Sequence, residues 1–197
     1  MSTHSGTHVL SCNQLDQVHW DIKSDPFSLA VVAGNGCSGR STLLKHLIRQ
    51  GSHIGTWIVF PGSFDDFRDI RCTAFTYDEV SSFLDCVKEK IANRTECESI
   101  GIVMDDACTS EHKALKDVIC SGRHSRIAIL LSAIYPSALP RDICLNVTDI
   151  LVTAGIGKSW LKRQLPEFEV SDNVVNSLIQ KQKEHFNQPW TVYRLRK

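Results

Sequence analysis

The sequence lacks an excess of charge, a metal-binding cysteine pattern and a long hydrophobic run. Its 22 basic residues balance its 22 acidic residues, so net charge provides no attraction to nucleic acid or to anionic membranes. Its eight cysteines include no CxxC pair, which argues against a zinc site and against a small disulfide scaffold. No apolar run approaches the roughly 20 residues that a membrane helix needs, and the first residues lack the pattern of a secretory signal. We therefore expect an intracellular protein with reduced thiols and no membrane insertion.

Internal repeats and low-complexity tracts are also missing, which argues against a solenoid. A length of 197 residues, with 42% hydrophobic and 22% charged residues, is typical of one ordinary globular domain. Residues 1–25 are polar and rich in Ser, Thr and His, and they predict an N-terminal arm with a short edge strand at residues 18–22. Residues 26–197 are expected to form the domain itself.

Short apolar runs alternate along this domain with segments of helical periodicity. Strands are predicted at residues 27–33, 54–60, 100–104, 127–132, 149–153 and 190–195. Helices are predicted at residues 41–50, 77–93, 111–120, 160–165 and 171–186. This alternation indicates an α/β fold with a central, mostly parallel sheet and helices on both faces.

A glycine-rich loop follows the first of these strands and leads into the first helix. Residues 34–41 match the phosphate-binding pattern G-x-x-x-x-G-K-[ST], except that Arg40 replaces the lysine. Glycines let successive backbone N–H groups point at phosphate oxygens, and the helix adds the positive end of its dipole. The pattern predicts a P-loop NTPase with ATP as its ligand. The expected nucleotide contacts are Gly34, Asn35, Gly36, Cys37, Ser38, Gly39, Arg40, Ser41 and Thr42.

Arg40 is not a conservative replacement for lysine. The lysine ammonium is a compact point charge, whereas the guanidinium is a broad planar fork. Because the positive charge is kept, nucleotide binding is expected to survive. Placement of the γ-phosphate in the transition state is expected to suffer, so slow or absent hydrolysis is one expectation for this chain.

Two acids directly follow the apolar strand predicted at residues 100–104, which is the pattern of a Walker B segment. Ligands of open parallel sheets lie beyond the carboxyl ends of the strands, which is where Asp105 and Asp106 emerge. We expect Ser41 and Asp105 to hold Mg²⁺ and Asp106 to orient or deprotonate the attacking water. The alternative for Asp106 is a helix cap or a solvated turn near Thr109.

Residues 121–146 carry a further distinctive pattern. Arg123 and His124 precede a strand, and Pro140, Arg141 and Asn146 follow it. This arrangement, with the two Walker segments, resembles the viral genome-packaging ATPases of the FtsK/HerA superfamily, found in poxviruses, other large DNA viruses and Polinton-like elements. The resemblance covers about residues 27–153, and the strand at 190–195 also lies in the expected place.

The resemblance implies a motor that uses ATP to package double-stranded DNA. Such a subunit is expected to form a homo-oligomeric ring, to contact a capsid or portal component, and to work in the host cytoplasm or nucleus where virions assemble. Arg141 is the expected arginine finger, with Arg123 as a second candidate. The alternatives are a surface role for Arg141 and a structural role for Arg123 with His124.

Two positions depart from the family pattern, namely Arg40 and Ala133, which takes the place of a glutamine after the fourth strand. Alanine offers no polar substitute for that glutamine. Ser132 precedes it, but strand alternation directs its hydroxyl to the opposite face of the sheet from Ala133. These departures suggest an alternative function, a ring subunit that binds NTP with little hydrolysis.

A small P-loop nucleotide kinase is the other alternative, because the chain length suits one. Such a kinase is expected to carry an arginine-rich lid over the phosphates. Residues 155–168 offer only Lys158, Lys162 and Arg163. The acid pair at a strand end also fits an ATPase better than a kinase.

Overall fold

One mixed eight-stranded sheet organises the chain, as seen in a computed structural model that describes residues 7–10, 27–34, 38–51, 53–92, 99–106, 112–122, 127–153, 156–184 and 192–196. The strands are β1 (Thr7–Leu10), β2 (Phe27–Ala33), β3 (Thr56–Phe60), β4 (Thr73–Ala74), β5 (Ile100–Met104), β6 (Ile127–Ala133), β7 (Asp149–Thr153) and β8 (Val192–Arg196). The helices are α1 (Arg40–Gln50), α2 (Val80–Ala92), α3 (His112–Gly122), α4 (Arg141–Asn146), α5 (Lys158–Gln164) and α6 (Asp172–Glu184).

The strand order is β1-β8-β7-β2-β6-β5-β3-β4. All neighbouring strands from β7 to β4 run parallel, whereas β8 runs antiparallel to both β7 and β1. The mostly parallel sheet predicted from the sequence is therefore confirmed. One detail of this order matters for the site: β6 lies between β2, which leads into the glycine loop, and β5, which leads into the two acids.

Alternating side chains divide the core into two layers. Odd-numbered positions of β2 and β6, such as Leu29 and Ile129, pack with α2 to α6 on one face. Even-numbered positions, such as Val32 and Leu130, pack on the other face with the buried stripe of α1 and with Phe67. Both faces of the parallel strands are apolar because both are covered by helices. Among the described residues, every helix is too short or too polar to span a lipid bilayer.

Three elements were not predicted from the sequence, namely β1, β4 and α4. They are short, so they give little periodicity. β1 lies inside the segment that we expected to be a polar arm, and it forms the sheet edge beside β8. The edge strand expected at residues 18–22 lies outside the described residues.

A buried ion pair joins the antiparallel strand β8 to the parallel part of the sheet. Arg194 of β8 donates from Nε to Oδ1 of Asp149 in β7, at 2.7 Å. Both side chains are largely buried, and Thr148 donates its hydroxyl to the other carboxylate oxygen at 3.1 Å. The Arg194 side chain therefore links β8 to β7.

A close contact between β3 and β5 provides a test of the core. Gly101 pairs in register with Trp57, and a Cβ at Gly101 would lie 2.1 Å from Cε3 of that ring. Trp57 is buried and its indole N–H donates to the carbonyl of Gly51 at 3.1 Å, so the ring is held in place. We expect Gly101→Ala to lower the free energy of unfolding by about 1–3 kcal/mol.

Urea denaturation of the parent and the variant measures this loss. Gly157→Ala is the matched control, because a Cβ at that exposed position meets no atom within 4 Å. Equal stability of the two variants would contradict the packing argument.

Candidate nucleotide-binding site

The glycine loop joins the end of β2 to the start of α1, as predicted. Gly34 directly follows β2, and Gly39 caps α1 with φ of 83°. That left-handed conformation suits glycine because it has no Cβ. The Leu43 N–H donates to the Gly39 carbonyl at 2.9 Å and closes the first turn of the helix. Asn35, Gly36 and Cys37 lie outside the described residues, so their predicted phosphate contacts stay predictions.

A close approach to β7 explains why residue 34 is glycine. A Cβ at Gly34 would lie 2.2 Å from Oγ1 of Thr153 and 2.3 Å from Oγ of Ser38. Thr153 ends β7, is buried, and donates its hydroxyl to the Ala33 carbonyl at 3.4 Å. The base of the loop is therefore packed between two hydroxyl groups. Sequence reasoning did not single out Thr153, although a hydroxyl at the carboxyl end of a parallel strand is a signal that could have identified it.

The remaining loop residues differ in their surroundings. The Ser38 hydroxyl is buried and has no hydrogen-bond partner among the described residues. Thr42 is exposed on the first turn of α1. A buried hydroxyl without a partner is uncommon in native proteins, so Ser38 is a candidate ligand contact among the loop residues that the structure describes.

Asp105 connects the second strand of the site to the loop helix. The carboxylate is buried, and the Asp105 N–H donates to the Phe60 carbonyl at 2.9 Å. The Ser41 hydroxyl donates to Oδ2 of Asp105 at 2.7 Å. The two residues that the sequence assigned to one metal ion are thus in direct contact.

Ser132 lies between these groups because β6 lies between β2 and β5. It is fully buried, and its hydroxyl donates to Oδ1 of Asp105. Ser132 and Ala133 face opposite sides of the sheet, as alternation predicted, and the Asp105 carboxylate lies on the side of Ser132. The Ser132 hydroxyl therefore reaches the site although it points away from Ala133. Ala133 is buried on the other face.

Asp106 adopts an unusual backbone conformation, with φ of 54°. Aspartate tolerates this left-handed region better than most residues. The Asp106 N–H donates to the Ser132 hydroxyl at 2.8 Å, which fixes the turn. The backbone of Gly62, after β3, approaches the same residue: a Cβ there would lie 3.4 Å from Oδ2 of Asp106.

Arg40 and Asp106 form an ion pair across the site. Arg40 Nη1 lies 2.6 Å from Oδ1 of Asp106. Arg40 is buried on the first turn of α1, whereas the Asp106 side chain is half exposed. Nη1 has no partner in hydrogen-bonding geometry, so the contact is an electrostatic pair. The two residues predicted to act on the phosphates and on the water therefore neutralise one another in this structure.

Of the two proposed arginine fingers, one is exposed and the other lies outside the described residues. Arg141 is exposed at the first residue of α4. Its neighbour Asp142 pairs with Lys116 of α3, and this hydrogen bond raises the pKa of Lys116. Arg123 and His124 lie outside the described residues. No group of three or more His, Cys, Asp or Glu side chains in the described ranges could hold a metal by itself.

Neither a protein-family model nor a curated protein sequence matches the chain, but solved structures do. The genome packaging NTPase B204 from Sulfolobus turreted icosahedral virus 2, in complex with AMP, is similar with a TM-score of 0.55 and 14% identity, over 78% of this chain and 87% of B204. ATPases 2 and 3 of EssC from Geobacillus thermodenitrificans are similar with a TM-score of 0.61 and 15% identity, over 77% of this chain and 35% of EssC.

The pCW3 conjugation coupling protein TcpA, in its monomer form with ATPγS, is also similar, with a TM-score of 0.60 and 13% identity over 85% of this chain and 60% of TcpA. Likeness at such identities shows the fold, so the resemblance stated from the sequence is confirmed at that level. The chain has the α/β P-loop ATPase fold that it shares with a viral genome-packaging NTPase.

Proposed function

We propose that this chain binds ATP with Mg²⁺ at the loop between β2 and α1 and hydrolyses it. The hydrogen bond of 2.7 Å from Ser41 to Asp105 carries this proposal. A hydroxyl at the end of a glycine loop and a buried carboxylate at the end of a nearby strand are oxygen ligands that Mg²⁺ prefers. Here they meet without any other residue between them.

The loop itself also fits a phosphate group. Gly34 lies where any side chain would collide with Thr153, and the buried hydroxyl of Ser38 has no partner among the described residues. Backbone N–H groups at the N-terminus of α1 and the positive end of its dipole favour an anion. These features of Gly34, Ser38 and the start of α1 support phosphate binding at the base of the loop.

We assign different roles to Asp105, Asp106 and Arg40. Ser41 and Asp105 would hold Mg²⁺, which supplies charge neutralisation at the phosphates. Asp106 is proposed to orient or deprotonate the attacking water, and Arg40 to contact the terminal phosphates. Because these last two residues are paired at 2.6 Å, Arg40 must release Asp106 before both can act. This exchange costs energy and supports slow turnover.

For the cellular role, we propose a motor subunit that packages double-stranded DNA into a viral capsid. The likeness to the genome packaging NTPase B204 supports this role. A homo-oligomeric ring on a capsid or portal component, inside the host cell at the site of virion assembly, follows from the same analogy, with residues 26–197 as the ATPase domain and 1–25 as its arm. The second candidate is a ring subunit that binds NTP with little hydrolysis, which the Arg40 pair and the apolar Ala133 favour.

Steady-state ATP hydrolysis by the purified full chain, with and without duplex DNA, tests the proposal. A motor hydrolyses ATP faster with duplex DNA present. A subunit that only binds NTP gives a dissociation constant for a fluorescent ATP analogue but no phosphate release, and a kinase transfers phosphate to a nucleoside monophosphate. Absence of nucleotide binding would overturn the proposal.

Substitutions of Arg40 should distinguish the effect of its positive charge from the effect of its side-chain shape. Arg40→Ala is expected to weaken ATP binding about tenfold or more, because it removes a charged contact to phosphate. Arg40→Lys is expected to keep or raise the hydrolysis rate, since lysine restores the point charge that suits the γ-phosphate. Arg49→Lys and Arg49→Ala are the matched controls, because Arg49 lies on α1 but pairs with Asp69. A lysine variant at position 40 that hydrolyses ATP much more slowly than the parent would contradict this prediction.

DNA binding by a motor subunit should be sequence-independent and should weaken steeply with salt, because a translocase contacts phosphates and not bases. With zero formal net charge, we expect isolated subunits to bind weakly and assembled rings to bind more tightly. Filter binding across a salt series, with ATPγS present to promote assembly, measures both. Neutralising Arg196 and Lys197 tests the basic C-terminal segment, residues 181–197, and Arg194 is left unchanged because it is paired with the buried Asp149. A flat salt response would rule out the motor.

A further inference from the structure

We propose that Ser132 is a positioning residue that contacts both acids of the site. Its single hydroxyl fixes the orientation of the metal ligand, Asp105, and of the water-activating residue, Asp106. The proposal rests on the proposed function, in which Asp105 holds Mg²⁺ and Asp106 acts on water. It assigns a role to a residue on β6, between the strand of the loop and the strand of the acids.

The hydroxyl of Ser132 makes one contact with each acid. It donates to Oδ1 of Asp105, and it accepts the backbone N–H of Asp106 at 2.8 Å. A hydroxyl has one donor and two acceptor sites, so these contacts use the donor and one acceptor. Ser132 is fully buried, and water therefore cannot replace it without rearrangement.

The contact with Asp105 directs the carboxylate towards the metal position. Its two oxygens are held from opposite sides, Oδ1 by Ser132 and Oδ2 by Ser41. When the Ser41 hydroxyl turns to a metal ion, Ser132 still holds Oδ1 and so restricts the rotation of this carboxylate. Groups that orient metal ligands in this way typically change metal affinity by about 10–100-fold when removed.

The contact with Asp106 fixes its left-handed backbone. A non-glycine residue with φ of 54° is held in that conformation by its surroundings, and the hydrogen bond from its N–H to Ser132 is part of those surroundings. The turn places the Asp106 carboxylate opposite Arg40. Loss of the Ser132 hydroxyl would leave a backbone donor without its partner and would release this turn.

The experiment compares the full-length parent with Ser132→Ala, Ser132→Cys and Ser132→Thr. The first measurement is the Mg²⁺ concentration that gives half-maximal binding of a fluorescent ATP analogue, together with the affinity for the analogue in EDTA. We expect Ser132→Ala and Ser132→Cys to need about tenfold more Mg²⁺, with the affinity in EDTA unchanged. Ser132→Thr should restore the parent value because it keeps the hydroxyl. Cysteine fills the space of the serine side chain but provides only a weak donor, so it helps to distinguish lost hydrogen bonding from lost packing.

Hydrogen exchange of the Asp106 amide in the nucleotide-free protein is the second measurement. Exchange should accelerate in the Ala and Cys variants and return to the parent rate in the Thr variant. Thr148→Val is the control, because it removes a hydroxyl that bonds Leu29 and Asp149 at the other end of the sheet. It should lower stability without changing the Mg²⁺ requirement.

The two proposals fail in different ways. A parent that binds nucleotide, with an unchanged Mg²⁺ requirement in both Ser132→Ala and Ser132→Cys, would overturn the role of Ser132 alone. A parent that binds no nucleotide would overturn the proposed function, and amide exchange would still decide whether Ser132 holds the Asp106 turn. A Thr148→Val variant with the same Mg²⁺ defect would show a general loss of structure and would overturn the positioning role.

Discussion

Replacing Gly34 with alanine is expected to weaken nucleotide binding by roughly thirtyfold, which corresponds to about 2 kcal/mol of overpacking. The new Cβ would lie 2.2 Å from Oγ1 of Thr153 and 2.3 Å from Oγ of Ser38. Ser38 can rotate away, but Thr153 is buried at the end of β7. The loop must therefore move off the sheet, and the phosphate site moves with it.

Fluorescence titration with an ATP analogue measures this loss, and thermal denaturation reports the accompanying change in stability. Gly157→Ala again serves as the control, since its Cβ would meet no atom within 4 Å. Adding Thr153→Ala to the Gly34→Ala variant removes the nearer of the two collisions and should recover part of the affinity. If the Gly34→Ala variant binds nucleotide as tightly as the parent, the nucleotide does not bind near residue 34.

Removing the charge of Asp105 should impair Mg²⁺-dependent nucleotide binding, whereas removing the charge of Asp106 should impair hydrolysis. Asp105→Asn is expected to raise the Mg²⁺ concentration needed for nucleotide binding by tenfold or more, because it removes the negative charge that faces Ser41. Asp106→Asn should leave binding near the parent value and lower the single-turnover hydrolysis rate by about 10²–10⁴-fold, the usual contribution of general acid–base catalysis.

Magnesium titrations of nucleotide binding and single-turnover hydrolysis separate the two effects. Asp69→Asn is a useful control, because Asp69 is an exposed carboxylate that also pairs with an arginine of α1. The structure adds one expectation for Asp106→Asn, namely that Arg40 loses its partner at 2.6 Å and becomes free to contact an anion. Nucleotide affinity in that variant should therefore be equal to or higher than in the parent. Equal loss of nucleotide binding in both aspartate variants would contradict the separate roles proposed for the two acids.

The sequence predicted the parallel core of the fold well because its strands are apolar on both faces and end at polar or glycine residues. β5 and β7 begin and end where their patterns predicted, at Ile100–Met104 and Asp149–Thr153. The short edge strand β1 gives no comparable signal. Its pairing depends on β8, a segment that is distant in sequence and close only in the folded chain.

The site was predicted less completely from the sequence, because its geometry depends on the order of the strands in the sheet. The loop and the acids are visible as local patterns, but the position of β6 between β2 and β5 is a property of the sheet. That position decides that Ser132 faces Asp105. The pairing of Arg40 with Asp106 likewise depends on the left-handed turn at Asp106, which the sequence alone does not reveal.

The pairing of β1 with β8 sets a limit on folding during synthesis. Thr7 lies opposite Leu195, so β1 leaves the ribosome long before its partner β8. β8 also completes the edge of β7 through the Arg194–Asp149 pair. Until translation reaches this segment, the nascent chain carries an open sheet edge beside β7 and an N-terminal strand without its partner. Such long-range pairing slows folding and exposes unfinished edges to other chains, so the sheet edge beside β7 stays open until β8 has been synthesised.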